Sequence, residues 1–257
     1  MRLGANSRLI LELVTVLGVE TLEAIFRLPQ FYKTVGCNSE KNFWRRSQLL
    51  KSNGLLDEKS DRTTGRWVAS LTAAANEAIA DGIEPEIEWE APWDKQWRLF
   101  AFDLPQSEGT QRQALRLWLK QRRLGKLQGS LWITPKNLGD WTADLAKRRV
   151  DPTAVALFKG QFEGNTSTQS YIDSSWDFKR INERYQRYLN YLESQNAKTM
   201  APKSFSESFH KEVDLWRAAF ELDPFLPKEL WPKTYLGPKA LDSRKKYYAT
   251  WKLRFEG

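Results

Sequence analysis

Apolar residues recur at helical spacing from the start of the chain. Ser7 precedes Leu9, Ile10, Leu13, Val14, Val16 and Leu17, which predicts an N-capped amphipathic helix stopped at Gly18. Leu22, Ile25 and Phe26 predict a second, short helix after Thr21, closed by Pro29. Beyond Gly36, Asn38 or Ser39 can cap a third helix that runs to Asn53. That helix turns Phe43, Leu50 and Trp44 inward and sets Lys41, Arg45 and Gln48 at i, i+4 and i+7 on its other side, with Asn42, Arg46 and Lys51 nearby. After Gly54, the apolar pairs Leu55–Leu56 and Trp67–Val68 flank a polar turn. They predict a two-stranded wing with Lys59, Arg62, Thr63, Thr64 and Arg66 near its tip. Three helices and a basic hairpin are the order of a winged helix-turn-helix, here spanning 1–82.

Further along, Ala73–Ala80 reads as helix, and 83–94, with Glu84, Glu86, Glu88, Glu90, Asp94 and two prolines, reads as an acidic linker. Trp97–Phe102 is an apolar run of strand length, followed by a helix capped by Ser107 that turns Leu115, Trp118 and Leu119 inward. Leu127–Ile133 reads as a second strand ending at Pro135. A helix through Trp141 and Leu145 and a strand Ala154–Phe158 follow, which makes 95–174 a ferredoxin-like α+β unit. The remainder, 175–257, reads as helical. Trp176, Ile181, Tyr185, Tyr188, Leu189 and Leu192 form one amphipathic face, 200–206 a loop, and Phe209, Val213, Trp216 and Phe220 a second face.

Composition narrows the function classes. With 41% hydrophobic residues and 12 Trp, the chain has ample material for a core. Cys37 and His210 are each the only residue of their type, so an intramolecular disulfide and zinc fingers are excluded. No stretch has the apolar length of a membrane span or the plan of a signal peptide, and the expected location is the cytoplasm. A net charge of +8 permits a polyanionic partner. Neither a G-x-x-x-x-G-K-[ST] nor a G-x-G-x-x-G loop is present, and no cofactor is expected.

Three stretches carry a family resemblance. They are WRLFAFDLP with RLGKLQGSLWITP, SSWDFKRINERYQRYL, and LWRAAFELDPFLPKELWP followed by a turn at Gly237 and Ala240. Together they resemble the PaaX family, the transcriptional repressors of phenylacetic acid degradation. The resemblance implies a winged-helix DNA-binding domain, a central ferredoxin-like dimerisation domain and a helical carboxy-terminal domain. It also implies repression relieved by an acyl-coenzyme A effector. Where the family carries a helix rich in small residues, this chain has Trp44, Arg45 and Gln48, which implies a different operator.

Taken together, these readings describe a homodimeric repressor on a palindromic double-stranded operator. The DNA-binding residues would be Ser39, Lys41, Asn42, Arg45, Arg46, Gln48, Lys51, Lys59, Arg62, Thr63, Thr64 and Arg66. Arg45 or Arg46 could pair with guanine, and Gln48 or Asn42 with adenine. The basic strings Lys120–Lys126, Arg148–Arg149 and Arg244–Lys246 could offset helix dipoles, or hold phosphate or flanking DNA. Asp103 opens an alternative. The central block also resembles small CRISPR adaptation nucleases, in which an aspartate ending the first strand can hold a metal. A single carboxylate makes a poor Mg²⁺ site, and turning the chain before Pro105 is its simpler role.

Overall fold

A computed structural model describes residues 4–26, 30–61, 66–80, 84–105, 108–195, 197, 199–201 and 204–256. The elements are α1 (Ala5–Phe26), a 3-10 turn (Phe31–Val35), α2 (Glu40–Ser52), β1 (Leu56–Asp61), β2 (Arg66–Leu71), α3 (Ala73–Ala80) and α4 (Pro85–Glu90). There follow β3 (Trp97–Phe102), α5 (Gly109–Gln121), β4 (Gly125–Gln128), β5 (Leu131–Thr134), α6 (Trp141–Lys147) and β6 (Val155–Gly160). The chain closes with α7 (Thr168–Ser175), α8 (Phe178–Ser194), α9 (Phe205–Phe220) and α10 (Gly237–Glu256). Helices with small antiparallel sheets make the fold α+β, as expected. Two compact units interleave along the sequence. One comprises Met1–Glu84, Glu183–Glu221 and Leu236–Gly257, and the other Pro85–Asn182 and Leu222–Tyr235.

In the second unit, the chain runs β-α-β-β-α-β and the sheet order is β4-β5-β3-β6, antiparallel throughout. This is the ferredoxin-like arrangement. Phe100 and Phe102 of β3, Trp132 of β5 and Val155 of β6 share one buried cluster with Leu115, Trp118 and Leu119 of α5 and Leu145 of α6. Both helices therefore cover the same face of the sheet. The segment expected as one strand over Leu127–Ile133 is instead a hairpin, because Gly129 at φ +48° reverses the chain between β4 and β5. Gly125 serves close approach. A Cβ there would lie 2.6 Å from the Trp176 ring and 2.7 Å from Ser175 Cβ at the end of α7.

The acidic segment 83–94 is more than a connection. Within it α4 buries Trp89, whose indole N–H donates to Tyr235 Oη at 3.1 Å, and Glu88 pairs with Lys136. The Asp-Pro string has a local structural role: buried Asp223 accepts the Phe225 amide and the Tyr235 hydroxyl. Arg123 reaches this loop, donating to the Asp223 carbonyl and lying over the Phe225 ring at 4.8 Å.

In the first unit, α1 continues through Gly18 to Phe26, where two helices were expected. The glycine penalty of about 1 kcal/mol is small beside the packing of α1 against α10 and β2. The residues expected as the second helix, Leu22 to Phe26, form the end of α1, and a 3-10 turn stands between α1 and α2. Gly237 and Ala240, expected in a turn, lie in the opening of α10, and α9 begins at Phe205 inside the expected loop.

An ionic cluster ties these helices together. Glu12 of α1 and Glu212 of α9 are both buried and face Arg244 of α10 at 3.5 and 2.8 Å. Glu212 also accepts the hydroxyls of Tyr188 and Tyr248. Burial alone would push the Arg244 guanidinium down; the charges of Glu212 and then Glu12 reverse this and hold it well above its ordinary value.

Candidate nucleic-acid interface

Helix α2 has defined ends. Ser39 is its N-cap in extended conformation, and its hydroxyl accepts the Asn42 amide at 3.2 Å. At the other end Gly54 adopts φ +67°, its amide donates to the Lys51 carbonyl, and the Leu55 amide donates to the Leu50 carbonyl, both at 2.9 Å. This pair of bonds is a Schellman motif, completed by burial of Leu50 and Leu55. The Thr72 hydroxyl then donates to the Gly54 carbonyl at 2.7 Å, fixing where the β1–β2 hairpin returns to the helix. Upstream, the Asn6 side chain of α1 donates to the Gly36 carbonyl, and His210 Nε2, 2.7 Å from the Thr34 carbonyl, is a donor to the 3-10 turn.

Helical phase divides the expected DNA-reading residues into two groups. Phe43, Ser47 and Leu50 are buried, and the Phe43 ring packs against Phe31 and Trp44. Lys41, Arg45, Gln48 and Lys51 are exposed. Asn42 and Arg46 are half-buried and engaged within the unit. Arg46 Nε donates to Asn42 Oδ1 at 3.2 Å, and Asn42 Nδ2 donates to Asn38 Oδ1 at 3.2 Å. Burial raises the Cys37 thiol, against the opposing influence of Asn6 and of Arg46. Of the alternatives left open by the sequence, Arg45 and Gln48 point to solvent.

In the hairpin, Lys59 stands opposite Val68 and Arg66 opposite Asp61 in the backbone register. Their side chains, and all of Arg62, Thr63 and Thr64, lie outside the described residues.

The other expected candidates fall elsewhere. Asp103 is exposed, and its amide donates to the Ala154 carbonyl at 3.2 Å, extending the β3–β6 pairing. Among the described residues, no group of three or more His, Cys, Asp or Glu could hold a metal ion. Among them, too, no helix is long and apolar enough to cross a membrane. Arg244, read from the sequence as a cation for a helix dipole, a phosphate or flanking DNA, is the centre of the buried cluster. The one available signal was Glu12, a lone acid interrupting an apolar helical run.

Comparison with known proteins gives three results. A model described as the PaaX protein central Cas2-like domain matches residues 90–172, and one described as the PaaX-like protein C-terminal domain matches 176–254. No curated protein sequence matches significantly. Among solved structures, the uncharacterized protein Rv0674 from Mycobacterium tuberculosis superposes with a TM-score of 0.63 at 18% identity, covering 97% of this chain and 94% of that one. Its fold is therefore similar along nearly the whole length. The two family matches take in the complete β-α-β-β-α-β unit and the Trp176, Asp223 and Arg244 structures described above, and the chain belongs to the PaaX family.

Proposed function

We propose that the chain is a sequence-specific double-stranded DNA-binding transcriptional regulator whose first 82 residues act as a winged helix-turn-helix. In this reading α2 enters the major groove, Arg45 pairs with guanine, and Gln48 contacts adenine or positions the helix. Lys41, Lys51 and the hairpin residues Lys59, Arg62, Thr63, Thr64 and Arg66 hold the phosphates. Ser39 fixes the helix start, while Asn42 and Arg46 brace the helix from within. The observation that carries the reading is the solvent face of α2, where Lys41, Arg45 and Gln48 align on a helix capped at both ends and followed at once by a β-hairpin.

Family membership supports a regulator acting as a homodimer on a palindromic site, with the central domain pairing the protomers. It also supports repression, relieved by an acyl-coenzyme A-like effector that favours the DNA-free arrangement. Selection of bound fragments from the protein's own genomic DNA, followed by footprinting at fixed salt, tests this. A discrete, two-fold symmetric protected site is expected, and its preference over random DNA should collapse in Arg45→Ala. Equal affinity for all fragments at every salt concentration would overturn the sequence-specific reading.

A further inference from the structure

The net charge of +8 is confined to one stretch of the chain. Gly109 to Arg149 holds ten Lys and Arg against two Asp and Glu, a net +8 within 41 residues. The other 216 residues are balanced, with 30 basic and 30 acidic side chains. This stretch supplies α5 and α6, which form the helical layer on one face of the four-stranded sheet.

On the outer surface of that layer, Arg116 and Lys120 are exposed and one turn apart on α5, and Lys147, Arg148 and Arg149 are exposed at the end of α6. Both acids of the stretch are already committed. Asp144 pairs with Arg122, tying the two helices, and Asp140 caps α6 through the Ala143 amide and the Thr142 hydroxyl. Arg116, Lys120, Arg148 and Arg149 form no ion pair among the described residues. Leu117, 53% exposed, is the one large apolar side chain open to solvent on this layer among them. A polyanion fits such a surface; an apolar partner does not.

Backbone conformation adds a second, independent observation. Arg149 follows the end of α6 at φ +58°, in a Schellman motif closed by the Arg149 amide on Ala146 and the Val150 amide on Leu145. Glycine occupies this position most readily. Arg123 stands at the matching place after α5, at φ +60°, but the Asp223 carbonyl and the Phe225 ring hold it there. Arg149 has no such anchor among the described residues. Attraction to the helix dipole accounts for a cation within the last turn of a helix, but not for Arg116 in the middle of α5.

We propose that the outer face of α5 and α6, through Arg116, Lys120, Arg148 and Arg149, is a second DNA surface that binds the sugar-phosphate backbone of double-stranded DNA without reading sequence. The proposal rests on the DNA-binding reading above and extends it to a unit outside the winged helix.

The test uses the full-length protein and a 40-base-pair duplex of arbitrary sequence, with affinity measured across a salt series. Each lost phosphate contact lowers the slope of log K against log salt by about 0.9. The variant Arg116→Gln, Lys120→Gln, Arg148→Gln, Arg149→Gln should therefore lose about 3 to 4 units of slope while unfolding at the parent temperature. Arg45→Ala should lose no more than about one. Arg149→Gly is expected to melt higher than the parent yet bind less tightly, a pairing that a purely structural arginine would not produce. A parent slope retained in the fourfold variant would overturn the second surface and leave the winged-helix reading standing. Absence of duplex binding by the parent would overturn both. Patch-dependent binding of a 40-nucleotide single-stranded RNA, with none of the duplex, would overturn the assignment to DNA.

Discussion

Arg46 donates its Nε–H to Asn42 Oδ1, one turn earlier on the same helix, and this bond keeps both side chains on the inner flank of α2. Neighbouring Arg45 is left on the solvent face. Two adjacent arginines thus have different surroundings. Arg45→Ala should cost about 1–3 kcal/mol of discrimination between the selected site and random DNA. Arg46→Ala should lower the melting temperature and leave that ratio within about twofold. Fluorescence anisotropy at one fixed salt concentration, beside thermal melts, separates them, and equal loss of discrimination in both variants would contradict the phase of the helix.

The cluster of Glu12, Glu212 and Arg244 gives a second expectation. Arg244→Met strands two buried carboxylates, which should destabilise the protein by about 3–5 kcal/mol. Adding Glu12→Gln and Glu212→Gln removes the stranded charge and should recover most of that loss. Denaturant unfolding of the three proteins measures it; a triple variant no more stable than Arg244→Met would show that packing, rather than charge, holds the helices.

Alkaline pH addresses the same region. Burial, reinforced by the charge of Glu212, lifts Tyr188 and Tyr248 well above the ordinary tyrosine value of 10.0. Burial lifts Tyr191 to about 12 and also raises Tyr247. The unfolded chain ionises these groups near the ordinary value while the folded chain keeps them protonated. Their stabilising contribution is therefore complete below about pH 10 and is lost as pH rises through the folded values. Absorbance at 295 nm should show Tyr188, Tyr191, Tyr247 and Tyr248 ionising late, with the unfolding midpoint falling between about pH 10 and pH 12.

Gly125→Ala tests the junction of β4 with α7. The added methyl has no room beside Trp176 and Ser175, so a loss of about 1–3 kcal/mol is expected. Gly139→Ala is the contrast. Its Cβ would meet nothing within 4 Å, and only the strain of φ +60° remains, about 1–2 kcal/mol. Near-ultraviolet circular dichroism should change in the first variant, where the indole is displaced, and not in the second.

Much of the fold was legible because local pattern and tertiary packing agree. The alternation around Phe100 and the helical recurrence of Leu115, Trp118 and Leu119 each point to the surface that is buried. Helix α2 was legible for the same reason, with its cap, its apolar face and the glycine after its end all in register. What stayed hidden depends on residues far apart in sequence. Gly18 reads as a stop until α10 is known to lie along α1. Gly129 reads as an interruption within one strand until β4 and β5 pair. Arg244 reads as one more basic residue in a basic run, because its partners are 32 and 232 positions away. On α2, the choice between Arg45 and Arg46 turns on about 100° of helical rotation, finer than the pattern resolves.

The pairing of Glu12 with Arg244 also bears on how the protein is made. Helix α1 leaves the ribosome early, with a carboxylate on the face it must bury, and the ribosome must add 232 residues before the guanidinium that meets it exists. At 5–20 residues per second this interval is about 10–45 s. Throughout it α1 lacks its α10 partner. A chain released early therefore carries α1 with its Glu12 carboxylate still lacking Arg244.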